Sequence, residues 1–280
     1  MRTLHTIHEM TAWSEACRRE GLKIGYVPTM GAFHDGHASL MRRARKECAR
    51  VAVSLFVNPI QFSSGEDFDR YPRDLDNDVR LAAESGVDVL YVPSVAEMYP
   101  KGFATYVDQD DLPEKLCGPF RPGHFRGVMT VVTKLLCIVR PHVAYFGQKD
   151  YQQTLIVRRM ATDLNMGVDV RVLPTVREED GTAMSSRNRY LGPKQRKDAA
   201  ILHKALKRAE DLIEEGENSS AKIIGEMRRV IRRVKGTKVD YIAIVNQFTL
   251  EHVKEIKGKI LVALAVRIGN TRLIDNLMMG

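Results

Sequence analysis

The chain has 280 residues, 44% hydrophobic and 28% charged, with a net charge of +8 and four cysteines. That balance supports a folded core and excludes a disordered or low-complexity polypeptide. The basic excess suits a nucleic acid, a phosphorylated small molecule or plain solvent, and charge alone does not choose among them.

At the N-terminus Arg2, His5, His8 and Glu9 interrupt the apolar residues, which argues against a signal peptide. Residues 23–28 read as a short strand closed by Pro28, and residues 51–57 and 87–92 are continuous apolar runs of buried-strand length. Residues 144–147 and 168–173 repeat that pattern. Helical periodicity falls between them, over residues 37–50, 76–85, 125–140 and 151–164. The most apolar stretch, residues 128–139, is broken by Thr130, Thr133 and Lys134 and falls short of a membrane span. The alternation predicts an α/β fold, a Rossmann-like doubly wound parallel sheet over residues 1–180. Beyond it, two helices (193–214 and 219–234) and three short strands (239–245, 260–268, 272–274) predict a smaller C-terminal α+β domain over residues 181–280. The basic residues Arg228, Arg229, Arg232, Arg233, Lys235 and Lys238 read as the solvated face of an amphipathic helix. Cys17, Cys48, Cys117 and Cys137 form no Cys-x-x-Cys pair, which suits free thiols in a reducing compartment and gives no zinc signature.

Ligands of a doubly wound sheet bind at the carboxyl ends of its strands, and four segments lie there. The first runs Pro28-Thr29-Met30-Gly31-Ala32-Phe33-His34-Asp35-Gly36-His37. Gly31 and Gly36 permit close backbone approach, and Asp35 reads as the N-cap of a helix whose free N–H groups suit phosphate. His34 and His37, three apart, share one side of its first turn. They read as surface residues, as metal ligands lacking a third partner nearby, or as donors to phosphate oxygens. The second segment is Asn58-Pro59-Ile60-Gln61, where the Gln61 amide both donates and accepts; a polar turn is the plain alternative. The third runs from Gly147 through Gln148, Lys149 and Asp150 to Gln153, offering a mobile cation, a helix cap and an amide facing the same space as Gln61. The fourth, Met184-Ser185-Ser186-Arg187 with Val176 before it, is an anion-gripping loop or an interdomain linker. Tyr71-Pro72-Arg73-Asp74 and residues 121–126 are weaker candidates, a lid and a loop.

His-x-Gly-His at a strand–loop–helix junction resembles the signature of the adenylyl-transferring superfamily that includes class I aminoacyl-tRNA synthetases. Met184 to Arg187 resembles a short form of that superfamily's phosphate-clamping loop. Taken together, PTMGAFHDGH, FVNPIQF, YPRD, RPGHFRGV, FGQKDYQQ and PTVREEDGTAMSSRNRYL resemble the pantothenate synthetase family in order and content, up to about residue 191. The resemblance implies ATP-dependent ligation of (R)-pantoate and β-alanine through a pantoyl adenylate, by a cytoplasmic homodimer. It implies ATP contacts from Pro28 and Met30 to His37, from Gly147, Gln148, Lys149 and Asp150, and from Val176 and Met184 to Arg187. His37 is expected as proton donor, His34 as a phosphate contact, and Lys149 and Arg187 as cations on the phosphates. Gln61 and Gln153, with Asn58 and Tyr71, are expected around pantoate and β-alanine. Mg²⁺ is expected to bridge the phosphates, with Asp78 as its protein ligand. Neither nucleic acid nor membrane is an expected partner. The two alternatives are an adenylyltransferase acting on a phosphorylated precursor and an RNA-binding module, the latter without a stacking motif.

Overall fold

Short β-branched runs set the first sheet. The computed structural model describes residues 1–63 and 65–280. In chain order, the first layer contains β1 (Arg2–Leu4), α1 (Ile7–Arg19), β2 (Ile24–Thr29), α2 (Asp35–Glu47), β3 (Arg50–Leu55), α3 (Leu75–Glu84), β4 (Val89–Tyr91), α4 (Val95–Met98), α5 (His124–Val139), β5 (Val143–Gly147), α6 (Tyr151–Asp163) and β6 (Asp169–Leu173). The six strands form one sheet in the order β1-β4-β3-β2-β5-β6, every pair parallel. From β2 the chain winds outward through β3 and β4, then returns to the other side of β2 with β5. The switch point therefore lies between β2 and β5, where a doubly wound sheet opens its ligand crevice.

β1 and α1 are elements the periodicity reading passed over. Thr6 accepts from Glu9 N–H while the Glu9 side chain accepts from Thr6 N–H. That reciprocal cap is visible in the sequence as Thr-x-x-Glu, so a start signal was available there. The apolar stretch at residues 128–139 is core rather than membrane. Twelve of the sixteen residues of α5 are buried, and among the described residues no helix is long and apolar enough to cross a membrane. A helix apolar all round is a core helix.

The second layer contains α7 (Pro193–Ala199), α8 (Ile201–Glu214), α9 (Ser220–Ile231), β7 (Thr237–Asn246), β8 (Ile260–Ile268) and β9 (Thr271–Met279). The single helix predicted over residues 193–214 is thus two, parted at Ala200. The last strand is longer than predicted, running from Thr271 to Met279 with its buried positions mostly separated by half-buried ones. β7, β8 and β9 form an antiparallel sheet. Period-two alternation sends Ile260, Val262 and Leu264 of β8 toward α8 and α9, and Leu261 and Ala263 into the core of the first layer. The small sheet is thereby buried on both faces and held against the large one. Arg228, Arg229, Arg232 and Arg233 stay exposed, as their spacing predicts.

One close approach couples this packing to the crevice. α5 lies against the 3₁₀ turn Pro59–Gln61, and a Cβ on Gly127 would sit 2.4 Å from the Ile60 carbonyl oxygen and 2.6 Å from Gln61 Cα. Gly127→Ala is expected to destabilise the protein by roughly 1–3 kcal/mol through overpacking. A urea midpoint unchanged from that of the parent chain would contradict the close approach.

Candidate active site

The carboxyl ends of β2 and β5 open into a cavity of about 180 Å³, bordered by Met30, His34, His37, Gln61, Lys149 and Gln153 among others. It adjoins a larger cleft of about 810 Å³ that reaches across to β9 and is bordered by Arg187, Thr271 and Asp275. Pockets of a few hundred to a thousand Å³ suit small-molecule ligands.

The loop after β2 owes its shape to a distant carboxylate. Gly31 and Ala32 both have positive φ, 85° and 52°, a conformation that costs a residue carrying a Cβ. Asp78, on α3 and 1% exposed, accepts from Ala32 N–H at 2.8 Å and Phe33 N–H at 2.6 Å. Burial raises its pKa despite those two bonds. Both Asp78 oxygens face backbone N–H groups and Asp78 borders neither cavity, so in this structure the residue expected as a metal ligand anchors the loop. Phe33 is buried in the core behind the loop.

At the start of α2, His34, not Asp35, is the N-cap, and Asp35 is the first helical residue. The reason lies in the spacing of the two histidines. His34 Nδ1 accepts from Gly36 N–H at 3.1 Å, and His37 Nδ1 accepts from His34 N–H at 3.3 Å. His-x-Gly-His is thus a capping box with imidazoles in place of hydroxyl and carboxylate. A Cβ on Gly36 would come within 2.8 Å of the His34 ring. With both Nδ1 atoms accepting, each neutral ring carries its proton on Nε2. Burial, followed by Lys149 nearby, lowers the His34 pKa to about 4. Burial, His34 and Lys149 together hold His37 well below the usual histidine range. Both lie on the neutral side at pH 7, which leaves each an Nε2–H available as a donor.

These histidines set an expected pH dependence. The unfolded chain takes up a proton at each of them near pH 6.5, while the folded protein resists until about pH 4 at His34. Between those values the unfolded state binds more protons, so stability falls as pH falls, by about 1.4 kcal/mol per pH unit per histidine. Glu47, depressed to about 2 chiefly by the Tyr145 hydroxyl, loses its contribution at lower pH. Urea midpoints at pH 7 and pH 5 test this, and equal midpoints would rule it out.

Gln61 is held by a residue the sequence reading placed on the ligand itself. Asn58, 1% exposed, donates from Nδ2 to Gln61 Oε1 at 3.1 Å and to the Gly127 carbonyl at 3.0 Å, and its Oδ1 accepts from Tyr99 at 2.7 Å. Asn58 borders neither cavity; it fixes the amide flip of Gln61 so that Nε2 points toward Met30. Gln153 and Tyr71 border the same cavity, with an apolar wall from Val128, Val131 and Val132.

Lys149 and Asp150 border both spaces, with Lys149 Nζ 3.6 Å from the Asp150 carboxylate. Asp150 is at the N-cap position of α6 but makes no side-chain cap bond. A Cβ at Gly147 would meet open space. Gln148 turns away, its Nε2 donating to Asn276 of β9, while the Asn276 amide donates to the carbonyls of Gln148 and Lys149 at 2.9 Å. The segment carrying Met184, Ser185 and Ser186 folds against the first loop: Ser186 Oγ donates to the Ala32 carbonyl at 3.0 Å, and Met184 N–H donates to the Val176 carbonyl. Arg187 is not a free cation. It donates to both oxygens of Asp67, at 2.8 and 2.9 Å. Arg121 and His124, ranked low from sequence, also border the cavity. Their RPGH setting resembled an ordinary loop, and only a tertiary contact distinguishes it.

The family model for pantoate-beta-alanine ligase matches residues 2–278. A pantothenate synthetase of Heliobacterium modesticaldum is 56% identical over 278 residues, 99% of each chain. One from Acetivibrio thermocellus is 53% identical over the same length and coverage. Among solved structures, pantothenate synthetase from Thermus thermophilus matches with a TM-score of 0.94 at 47% identity, covering 99% of both chains. Pantoate-beta-alanine ligase from Francisella tularensis, complexed with beta-gamma ATP and beta-alanine, matches at 0.81 and 33% identity, over 100% of this chain and 99% of that one.

Proposed function

The chain belongs to the pantoate–β-alanine ligase family and uses ATP to join pantoate to β-alanine; on that premise we propose that the ligation runs through pantoyl adenylate in the cavity between β2 and β5. The observation that carries this reading is one cavity holding two amides and an apolar wall beside two neutral imidazole donors and a lysine. Pantoate is a small acid with two hydroxyls and a gem-dimethyl carbon. Gln61, its amide fixed by Asn58, and Gln153 suit the polar atoms, and Val128, Val131 and Val132 suit the methyls.

In the first step a pantoate carboxylate oxygen attacks the α-phosphorus of ATP. The bond from that phosphorus to the bridging oxygen of the β-phosphate breaks, and pyrophosphate leaves. Charge grows on the phosphate oxygens, where the Nε2–H groups of His34 and His37 and the Lys149 ammonium supply preorganised donors. In the second step the neutral amine of β-alanine attacks the acyl carbon, AMP leaves, and the nitrogen gives up a proton. No Ser or Cys nucleophile is needed, because adenylation itself provides the leaving group. Positioning supplies much of the rate.

The larger cleft takes the nucleotide in this reading, with Lys149, Asp150, Ser185 and Arg187 on its border. Phosphate oxygens of ATP would hold Mg²⁺ in this reading, since among the described residues no group of three or more His, Cys, Asp or Glu side chains could hold a metal ion. Mg²⁺ commonly keeps its waters and binds through substrate phosphates, where it would neutralise charge. The reading also carries a homodimer and a cytoplasmic location.

The test is isotope exchange between pyrophosphate and ATP. Exchange that needs pantoate but not β-alanine, with AMP formed only when both acids are present, supports the adenylate route. AMP formation without any pantoate-dependent exchange would overturn it.

A further inference from the structure

Two consecutive carboxylates on the segment between β3 and α3 each grip a cavity-bordering arginine with both oxygens. Asp67 holds Arg187. Glu66 holds Arg121, with Nε to Oε1 at 2.8 Å and Nη2 to Oε2 at 2.7 Å. We propose that Arg121 is the residue that recognises the carboxylate of β-alanine, and that Glu66 is an internal stand-in for that carboxylate when the amine substrate is absent. The inference rests on the function proposed above and extends it to the second substrate.

Arg121 is placed and prepared for this. It borders the inner cavity, the larger cleft and a third, small cavity of about 50 Å³ behind them, so it stands where the three meet. Its third arm is fixed as well. Arg121 Nη1 donates to His124 Nε2 at 2.8 Å, and His124 Nδ1–H donates to the Gln61 carbonyl at 2.9 Å. A buried neutral imidazole thus ties the guanidinium to the backbone of the residue that faces pantoate. What remains for a ligand is the flat Nε/Nη2 edge, the edge that binds carboxylates bidentately.

The exchange replaces one carboxylate by another on Arg121 and releases the partly exposed Glu66 carboxylate to solvent. β-Alanine brings a carboxylate at one end and an amine at the other. Its carboxylate replaces that of Glu66 on the same two donors, and no charge is left unpaired on Arg121. An amine of the same length without a carboxylate has nothing to offer that edge and leaves Glu66 in place. Recognition therefore discriminates β-alanine from simple amines by a charged, bidentate hydrogen bond, the kind of contact whose loss costs roughly 10- to 100-fold in binding. Lys149, Arg121 and Arg187 all border the inner cavity, and of the three only Arg121 is tied through His124 to the backbone of Gln61.

The experiment compares β-alanine with propylamine as acceptor, scoring AMP formation, in the full chain and in Arg121→Ala and Glu66→Gln. The parent chain prefers β-alanine. Arg121→Ala is expected to raise the KM for β-alanine by roughly 10- to 100-fold and to shrink the preference over propylamine by the same factor. Pantoate-dependent pyrophosphate exchange, which needs no amine, reports separately on the fold and the first step. Glu66→Gln removes the competing charge and is expected to lower the KM for β-alanine severalfold. An Arg121→Ala enzyme that keeps its preference for β-alanine overturns the proposal. So does a Glu66→Gln enzyme whose KM for β-alanine rises. If Arg121→Ala also loses exchange through misfolding, Glu66→Gln decides alone. Absence of exchange in the parent chain would instead count against the adenylate reading, a distinguishable failure.

Discussion

His37→Ala is expected to lower pantoate-dependent pyrophosphate exchange by about 10²–10³-fold, the usual cost of one preorganised donor to developing charge. The ring does two things at once. Its Nδ1 accepts from the His34 N–H at the helix start, and in the proposed reaction its Nε2–H donates to the phosphate oxygens. Alanine removes both, and the lost cap adds about 1 kcal/mol of instability. His37→Asn separates the two roles, since an amide oxygen can still accept from a backbone N–H. That variant is expected to recover the urea midpoint while exchange stays low. The pH profile sharpens the assignment. A donor that is neutral in the resting protein predicts exchange that does not decline as pH rises through 6.5, whereas an imidazolium acid predicts decline there. Exchange within threefold of the parent enzyme in His37→Ala would remove His37 from the chemistry.

The second large effect is expected at Asp78, which borders neither cavity. Asp78→Ala leaves the N–H groups of Ala32 and Phe33 without an acceptor beneath a loop with positive φ at Gly31 and Ala32. Two buried donors left unpaired cost roughly 2–5 kcal/mol, and the loop loses the force that holds its strained backbone. Stability and nucleotide affinity are therefore expected to fall together. Asp78→Asn keeps one acceptor and turns an amide NH₂ against the other N–H, so it should fall between. Urea midpoints and ATP binding measured on the three proteins decide this. If added Mg²⁺ restored Asp78→Ala at an unchanged midpoint, Asp78 would be a metal ligand after all.

Both expectations turn on a division between local and distant information. Continuous apolar runs at β3 and β4, and helical periodicity between them, are enough to specify a parallel sheet, because burial on two faces demands them. The same runs place His34, His37, Gln61 and Lys149 at strand ends, where a doubly wound sheet binds ligands. The polar chemistry is different. Gln61 and Asn58 are near neighbours, yet sequence could not say which one faces the ligand. That depended on Tyr99 and Gly127 taking up the Asn58 amide.

Chain separation explains the remaining surprises. Asp78 reaches Ala32 across 46 positions, His124 reaches Gln61 across 63, and Ser186 reaches Ala32 across 154. No periodicity encodes such pairings, since a hydrogen bond depends on atoms brought within about 3 Å by the assembled fold. Asp78 therefore read as a free carboxylate, Arg187 as a free cation, and Arg121 as a loop residue. By itself the sequence determined the sheet, its family motifs and the crevice where they meet, because apolar pattern and turn chemistry are local. Only the tertiary structure decided which polar groups are anchors, which are donors, and which arginines already hold a carboxylate, because those roles are set by partners far along the chain.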